Sequence, residues 1–209
     1  MKLELAGETV VLSAQRALFR PSTGQLLVAD PHFGKAEVFR AHGLPVPEGT
    51  TSDNLVRLDR LIGEFAPREL VFLGDFLHAR VTEVFTRLLP WRRSHGALPM
   101  RLVRGNHDAR AGAFPAALDM RVDAEVVEAP FVYRHAPGAS RQGFTLAGHL
   151  HPAFRLRGRG RGSLRLACFW LAPHGMVLPA FGEFTGCMEI ERGSGGRVFV
   201  IAGEEIHEA

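Results

Sequence analysis

Four short polar motifs, each placed directly after a short apolar run, hold the residues of this sequence that could do chemistry. Gln25-Leu-Leu-Val-Ala runs into Asp30-x-His32, and Leu70-Val-Phe-Leu runs into Gly74-Asp75-x-x-His78. Met100-Arg-Leu-Val runs into Gly105-Asn-His-Asp108, and Phe144-Thr-Leu-Ala runs into Gly148-His-x-His151. Asp30, His32, Asp75, Asn106, His149 and His151 are oxygen and nitrogen donors of the kind that suits Mn, Fe, Zn or Co. Calcium would want oxygens alone. There are more of them than one ion needs. Two ions about 3.5–4 Å apart would use the set, with Asp75 as the bridging carboxylate. Such a pair lowers the pKa of a shared water, generates hydroxide near neutral pH and neutralises charge on a phosphate ester undergoing in-line attack.

Each motif also has an ordinary structural reading. Asp-x-His arises by chance, and Gly-Asp at a strand end is often only a turn. Gly-Asn-His-Asp is harder to explain structurally. Gly-His-x-His sets two imidazoles on one side of an extended chain. The weight lies in all four occurring in order, each at the end of an apolar run.

The elements that must position these residues can be read around them. An apolar run of this length without helical period reads as a buried strand, and open α/β sheets gather ligands beyond the carboxyl ends of their strands. Short strands are expected at 2–5, 9–12, 17–20 and 25–28, with turns at Gly7 and Pro21-Ser-Thr-Gly24. A helix is expected over 34–42, ending at Gly43. A second starts near Ser52 or Asp53, with Leu55, Leu58, Leu61, Ile62 and Phe65 at helical spacing as its core face, and stops at Pro67. A third carries Val81, Val84, Phe85, Leu88 and Leu89 and ends near Pro90-Trp91. This order argues for βαβ units. From about residue 122 the texture becomes β-rich, with strands expected at 124–133, 143–147, 152–157, 164–171, 175–178 and 197–201, in an antiparallel arrangement.

The chain has 209 residues, 46% of them apolar, enough for one domain with a sizeable core. Its two cysteines, Cys168 and Cys187, fit neither a metal spacing nor a disulfide framework, so a reducing, cytoplasmic setting is expected. Glu4 and Glu8 argue against a signal peptide. The apolar stretch 164–182 is broken by Arg165, Pro173, His174 and Pro179, so no membrane span is expected. The net charge is +3, and lysine occurs only at Lys2 and Lys35. This suits an ordinary soluble protein; it also suits a phosphate-rich partner, since arginine's planar fork matches phosphate.

Together the four motifs resemble the signature of the calcineurin-like metallophosphoesterases. That resemblance implies an α/β fold, a four-layer α/β/β/α sandwich of two mixed β-sheets flanked by helices, as one metallophosphoesterase domain over residues 1–209. It implies two divalent metal ions, with manganese expected and iron or zinc as alternatives. One would take Asp30, His32, Asp75 and His151. The other would take Asp75, Asn106, His149 and a further histidine, which the family places between the third and last motifs; His135 is the residue here. His107 would be the general acid, oriented by Asp108. Many members have Gly-Asp-x-x-Asp, whereas this chain has His78 in the last position. His78 is either a substrate contact at the rim or a polar residue opening the next helix.

Finer likeness lies in Asp30-Pro-His-Phe-Gly-Lys35, Phe39-Arg-Ala-His-Gly-Leu-Pro-Val-Pro47, Gly-Asp-Phe-Leu-His78 and Leu178-Pro-Ala-Phe-Gly-Glu-Phe-Thr-Gly186. These are similar to the bacterial ligase-associated DNA damage response endonucleases, the PdeM group. They imply a manganese-dependent phosphodiesterase acting on nucleic acid beside an ATP-dependent DNA ligase, a helicase and a nuclease. A phosphatase or pyrophosphohydrolase on nucleotides or other small phosphoesters is the alternative, and a non-catalytic binding module is disfavoured because His107 and every matching ligand position are filled. Arg155, Arg157, Arg159 and Arg161 alternate just after the last motif and would share one face of a hairpin, either as a solvated tip or as a grip on a phosphate backbone. Lys35, Arg40, Arg80, Arg104 and Arg110 border the motifs as a basic rim; Phe33 and Phe76 are the best candidates for base stacking, with core packing the stronger expectation for Phe76. Homodimerisation through the β-rich half is left open.

Overall fold

The computed structural model describes residues 1–46, 49–79, 82–157, 162–183, 185–191 and 195–209. Arg80, Val81, Arg159 and Arg161 lie outside the described residues. Two mixed β-sheets flanked by helices make an α/β sandwich. The first sheet has seven strands in sequence order: β1 (Lys2–Leu5), β2 (Glu8–Ser13), β3 (Ala17–Arg20), β4 (Gln25–Val28), β5 (Glu69–Phe72), β6 (Met100–Val103) and β7 (Met120–Asp123). It is antiparallel from β1 to β4 and parallel from β4 to β7. The parallel part needs crossovers, which α1 (Lys35–Ala41), α2 (Thr50–Phe65), α3 (Thr82–Ser94) and α4 (Asn106–Ala111) supply.

The second sheet comprises β8 (Val126–Glu128), β9 (Phe131–Tyr133), β10 (Phe144–Ala147), β11 (Pro152–Arg157), β12 (Ser163–Ala172), β13 (Gly175–Val177), β14 (Met188–Ile190), β15 (Arg197–Ala202) and β16 (Glu205–Glu208). It is mixed, not antiparallel as the β-rich texture suggested: β9, β10 and β13 run parallel. Texture reports strand content; it cannot report direction, which depends on where each connection returns.

Alternate residues of the central strands serve two cores. Leu26, Val28, Leu70, Phe72 and Leu102 pack with Leu55, Leu58, Leu61, Val84 and Leu88 of the helices. Leu27, Val71, Leu73 and Val103 point the other way, into a core shared with Phe131, Tyr133, Leu146, Phe169 and Phe199 of the second sheet. Each such side chain stabilises the fold by about 1.5–3 kcal/mol when fully buried. Burial on both faces explains why β4, β5 and β6 read as continuous apolar runs.

Several expected boundaries shift. Helix α3 runs through Pro90 to Ser94. Proline removes one N–H from the ladder, but Trp91 is buried and donates through Nε1 to Asp59 Oδ1 at 2.6 Å, and Arg92 Nε donates to Leu118 O at 2.8 Å. Tertiary contacts thus carry the last turn. The strand expected at 124–133 is divided by a turn at Ala129–Pro130 into β8 and β9, and β7, β14 and β16 are strands the reading did not contain. No described helix is long and apolar enough to cross a membrane. Both cysteines are free, Cys168 buried and Cys187 half-buried.

Candidate metal centre

Every motif sits beyond the carboxyl end of a strand. Strands β4, β5 and β6 are parallel neighbours and deliver Asp30 and His32, Asp75, and Asn106. Strands β9 and β10 are parallel neighbours in the other sheet and deliver His135, and His149 and His151. The loops after β4 and β5 stay together past the strand ends: Asp30 N donates to Gly74 O at 3.2 Å, His32 N to Asp75 O at 2.9 Å and Phe33 N to Phe76 O at 2.9 Å. The sheets are tied at this crest by His149 N, which donates to Asp30 Oδ2 at 2.7 Å.

The backbone here is strained in a patterned way. Asp30, His32, Asp75, His149 and His151 all have left-handed φ, between 47° and 72°, and they are five of the nine described non-glycine residues that do. The conformation costs on the order of 1 kcal/mol at each, and its concentration at one spot marks a site whose side-chain directions matter more than local stability. Two glycines make the approach possible. A Cβ on Gly105 would lie 2.2 Å from Asp75 Oδ1, and one on Gly148 would lie 2.4 Å from Asp30 Oδ2.

Among the described residues three trios have ligand atoms within 4.8 Å of one another: Asp30 with His32 and His151, Asp75 with His135 and His149, and His32 with His78 and His107. The first two contain a carboxylate. In the first, His32 Nε2 lies 3.4 Å from His151 Nε2, and His151 Nε2 lies 3.6 Å from Asp30 Oδ2. In the second, His149 Nδ1 is 3.0 Å from His135 Nε2, which is 2.9 Å from Asn106 Oδ1. Asp75 stands between them, with Oδ2 3.8 Å from His32 Nε2 and Oδ1 3.5 Å from His135 Nε2. Asp30 is fully buried, and its Oδ1 has no hydrogen-bond partner. His135 Nδ1 lies 3.5 Å from that oxygen. A buried carboxylate oxygen without a hydrogen bond is costly, and imidazole nitrogens converging on one another are better matched to a shared cation than to each other. The residues present therefore fit divalent metal.

Burial, then the neighbouring His151, Lys35, His107 and His78, hold the His32 pKa far below the usual histidine range, so His32 is neutral, the form a ligand requires. Burial, then Lys35 and His107, lowers His78 to about 4. Burial works to lower His151, but Asp30 and the Gly186 carbonyl outweigh it and raise the value overall. That carbonyl accepts from His151 Nδ1 at 2.8 Å and leaves Nε2 for the centre.

His107 stands at the same crest: its ring is 5.0 Å from that of His32, and its backbone N–H donates to Asp75 Oδ1 at 2.9 Å. Asp108 does not orient the His107 ring, contrary to the expectation. Its carboxylate is buried, accepting from Gly105 N at 2.9 Å and Leu77 N at 3.1 Å, and so fixes the loop backbone. The ring is held by the His78 carbonyl, which accepts from His107 Nδ1 at 2.9 Å. His78 does not open a helix; its ring stacks on His107 at 4.8 Å and its Nδ1 is buried without a hydrogen-bond partner.

The remaining expectations divide. Lys35 lies at the edge of the centre, half-buried, with Nζ 5.6 Å from the Phe39 ring centroid; burial lowers its pKa and Asp75 opposes this. Phe33 and Phe76 are core residues packed edge to face at 5.1 Å and offer no stacking surface. Arg155 forms a two-pronged pair with Glu189, at 2.7 Å on both arms, while Arg157 is exposed. Arg40 lies 3.8 Å from Glu37, and Arg104 and Arg110 are exposed. Arg16 and Arg57 carry no local sequence signal, yet both hold the segment beneath Asp30. Arg16 Nη1 donates to Ala180 O at 3.3 Å and Gly182 O at 3.5 Å, and Arg57 Nη2 donates to Phe181 O. Phe181 N and Gly182 N in turn donate to Ala29 O at 2.7 Å and Asp30 O at 3.1 Å.

The family model for calcineurin-like phosphoesterases matches residues 26–204. This chain belongs to the calcineurin-like phosphoesterase family. Calcineurin-like phosphoesterases use divalent metals, and the two carboxylate-containing trios are candidate places for them in this member. The solved structure of the Pseudomonas putida nuclease MPE is similar at 40% identity and a TM-score of 0.89, over 100% of this chain and 99% of that one. A predicted phosphoesterase from Streptococcus pneumoniae matches at 15% identity and TM-score 0.33, over 84% of this chain and 79% of that one. Yfce, a phosphoesterase from E. coli, matches at 12% and 0.41, over 88% and 97%. With TM-scores that low, the assignment rests on the family match and the first structure. No curated protein matches. The chain is thus a phosphoester hydrolase of the calcineurin-like fold.

Proposed function

We propose that this protein is a dinuclear metal-dependent phosphodiesterase that cuts nucleic-acid phosphodiester bonds, as an endonuclease working in DNA repair from one domain spanning residues 1–209. The observation that carries the reading is the two neighbouring donor trios, linked by Asp75 of the second, in a chain 40% identical over its whole length to a protein named a nuclease. Asp30, His32, Asp75 and His151 would hold one ion, and Asp75, Asn106, His135 and His149 the other. Bound divalent ions there supply charge neutralisation for phosphate oxygens and acidify water. Manganese is the expected metal, and this donor set also accepts iron or zinc.

The protein's own groups then do the positioning. Asp75 turns Oδ2 toward His32 and Oδ1 toward His135 while the backbone N–H of His107 steadies it. His107, its Nδ1–H committed to the His78 carbonyl, keeps Nε2 to deliver a proton to the leaving oxygen. Lys35 and His78 line the edge where a phosphate would enter. The likeness of Asp30–Lys35 and Leu178–Gly186 to the ligase-associated group supports a cytoplasmic setting beside an ATP-dependent DNA ligase, a helicase and a nuclease.

The test uses metal-stripped protein with Mn²⁺ restored, assayed on bis-p-nitrophenyl phosphate, p-nitrophenyl phosphate, and single- and double-stranded DNA. Manganese-dependent cutting of the diester and of DNA, with little monoester hydrolysis, is expected. Hydrolysis of the small diester without DNA would replace this reading with a small-molecule phosphodiesterase.

A further inference from the structure

The β11–β12 hairpin departs from the metal centre at His151. Its register pairs Ala153 with Ala167, Arg155 with Arg165 and Arg157 with Ser163. Side chains alternate along a strand, so these six share one face. Moving outward from His151, that face presents two alanines, then two arginines, then Arg157. At about 3.3 Å per residue the arginine pair stands roughly 13 Å from His151. A cleft of about 380 Å³ opens here, lined by His151, Ala153, Ala167, Arg165, Arg16 and Glu183 among others.

The charges on this face are not equally committed. Arg155 is locked on Glu189 by both arms and also donates to Ser163 Oγ at 3.3 Å. Glu183 lies 3.9 Å from Arg57. Arg165 is exposed and, among the described residues, makes no hydrogen bond or ion pair, although Glu189 feels its field. Among the described residues, Arg16 bonds the protein through Nη1 alone, to the Ala180 and Gly182 carbonyls, leaving the other N–H groups of its fork. Arg165 and the remaining N–H groups of the half-buried Arg16, which also feels Glu183, therefore share a cleft with one of the ligand histidines, and the small side chains of Ala153 and Ala167 line it between them.

We propose that this face is the track by which a single nucleic-acid strand leaves the metal centre, its backbone over Ala153 and Ala167 and a phosphate held by Arg165 with help from Arg16. The inference rests on the nucleic-acid reading above and adds a direction and a clamp to it. The arginine fork suits phosphate, and a contact of this kind strengthens binding of any sequence without selecting one.

The test compares R165A and R165E with the unaltered protein, all Mn²⁺-loaded, on a labelled single-stranded oligonucleotide and on bis-p-nitrophenyl phosphate. A parallel set carrying H107A, expected to slow cleavage strongly, reports binding by fluorescence anisotropy across a salt series. R165A is expected to weaken DNA binding about fivefold at low salt and to lower the salt slope by about 0.7, the loss of one single-strand phosphate contact. R165E should weaken it further, and turnover of the small diester should not change in either variant. If the parent cuts DNA while both variants match it in affinity and slope, the track is wrong and the nuclease reading stands. If the parent hydrolyses the small diester but neither binds nor cuts DNA, the nucleic-acid reading and the track fall together.

Discussion

His107 donates through Nδ1 to the backbone carbonyl of His78 at 2.9 Å, and the two rings stack with centroids 4.8 Å apart and 23° between their planes. Main chain fixes which nitrogen of His107 is free, and the His78 ring fixes its plane. His107→Ala should lower kcat on a phosphodiester by about 10²–10⁴-fold, the usual worth of a general acid, with metal content unchanged by elemental analysis. His78→Ala keeps the carbonyl and loses only the stack, so its kcat should fall by less. Equal losses would mean that the ring of His78 does chemistry of its own.

Asp75 belongs to the trio with His135 and His149 and turns its other oxygen, Oδ2, to within 3.8 Å of His32 Nε2 in the first. Asp75→Ala is expected to reduce bound Mn²⁺ at both positions, to below one ion per chain after dialysis. A variant that retained one tight ion would show that the two trios bind independently.

The carboxylate also depends on a missing side chain. A Cβ on Gly105 would meet Asp75 Oδ1 at 2.2 Å and Asp75 N at 2.3 Å. Gly105→Ala should therefore displace Asp75 and weaken Mn²⁺ binding, measured by calorimetry, although Gly105 itself ligates nothing. Unchanged affinity would mean that the loop relaxes freely.

Metal should also stabilise the fold. Asp30 Oδ1 is buried without a hydrogen-bond partner, a cost that a bound cation relieves. At a free Mn²⁺ concentration of 100 times Kd the native state gains about 2.7 kcal/mol, which for a chain of this size raises Tm by roughly 5–10 °C. Thermal unfolding with Mn²⁺ and with chelator measures it directly.

Far from the centre, Glu8 accepts from Arg20 Nε and Nη2, both at 2.8 Å, and Arg20 is buried and also bonded to Gln25 and Tyr133. The Arg20 hydrogen bond is the chief reason the Glu8 carboxyl lies below its ordinary value of 4.5. A carboxyl depressed in the folded state contributes stability above its unfolded value, and that contribution is lost as pH falls through the lowered one. Glu8→Gln should cost about 1–3 kcal/mol at pH 7, and the gap from the parent should close progressively below pH 4.5, read from urea midpoints. A gap that stayed constant to the lowest pH would place the effect elsewhere.

Much of the crest was legible in the chain because each of its residues follows a strand that announces itself. Asp30, Asp75, Asn106 and His149 come two or three residues after doubly buried strands, whose apolar runs are unambiguous, and parallel neighbours must bring their carboxyl ends together. The helical stripe of Leu55, Leu58 and Leu61 was legible for the same reason: burial writes a period into sequence. What the chain could not display is contact between distant segments. Asp108 was expected on the His107 ring, and it holds Gly105 and Leu77 instead, because α4 turns its side chain under the loop. Phe33 looked available and is core, as was expected of Phe76. Arg16, Arg57 and Arg165 sit in no motif, and their roles come from carbonyls, a cleft and a strand register that only the packed sheets create. Periodicity and residue type are local properties and survive in one dimension, whereas the direction of a side chain and the partner it meets depend on how two sheets close on each other.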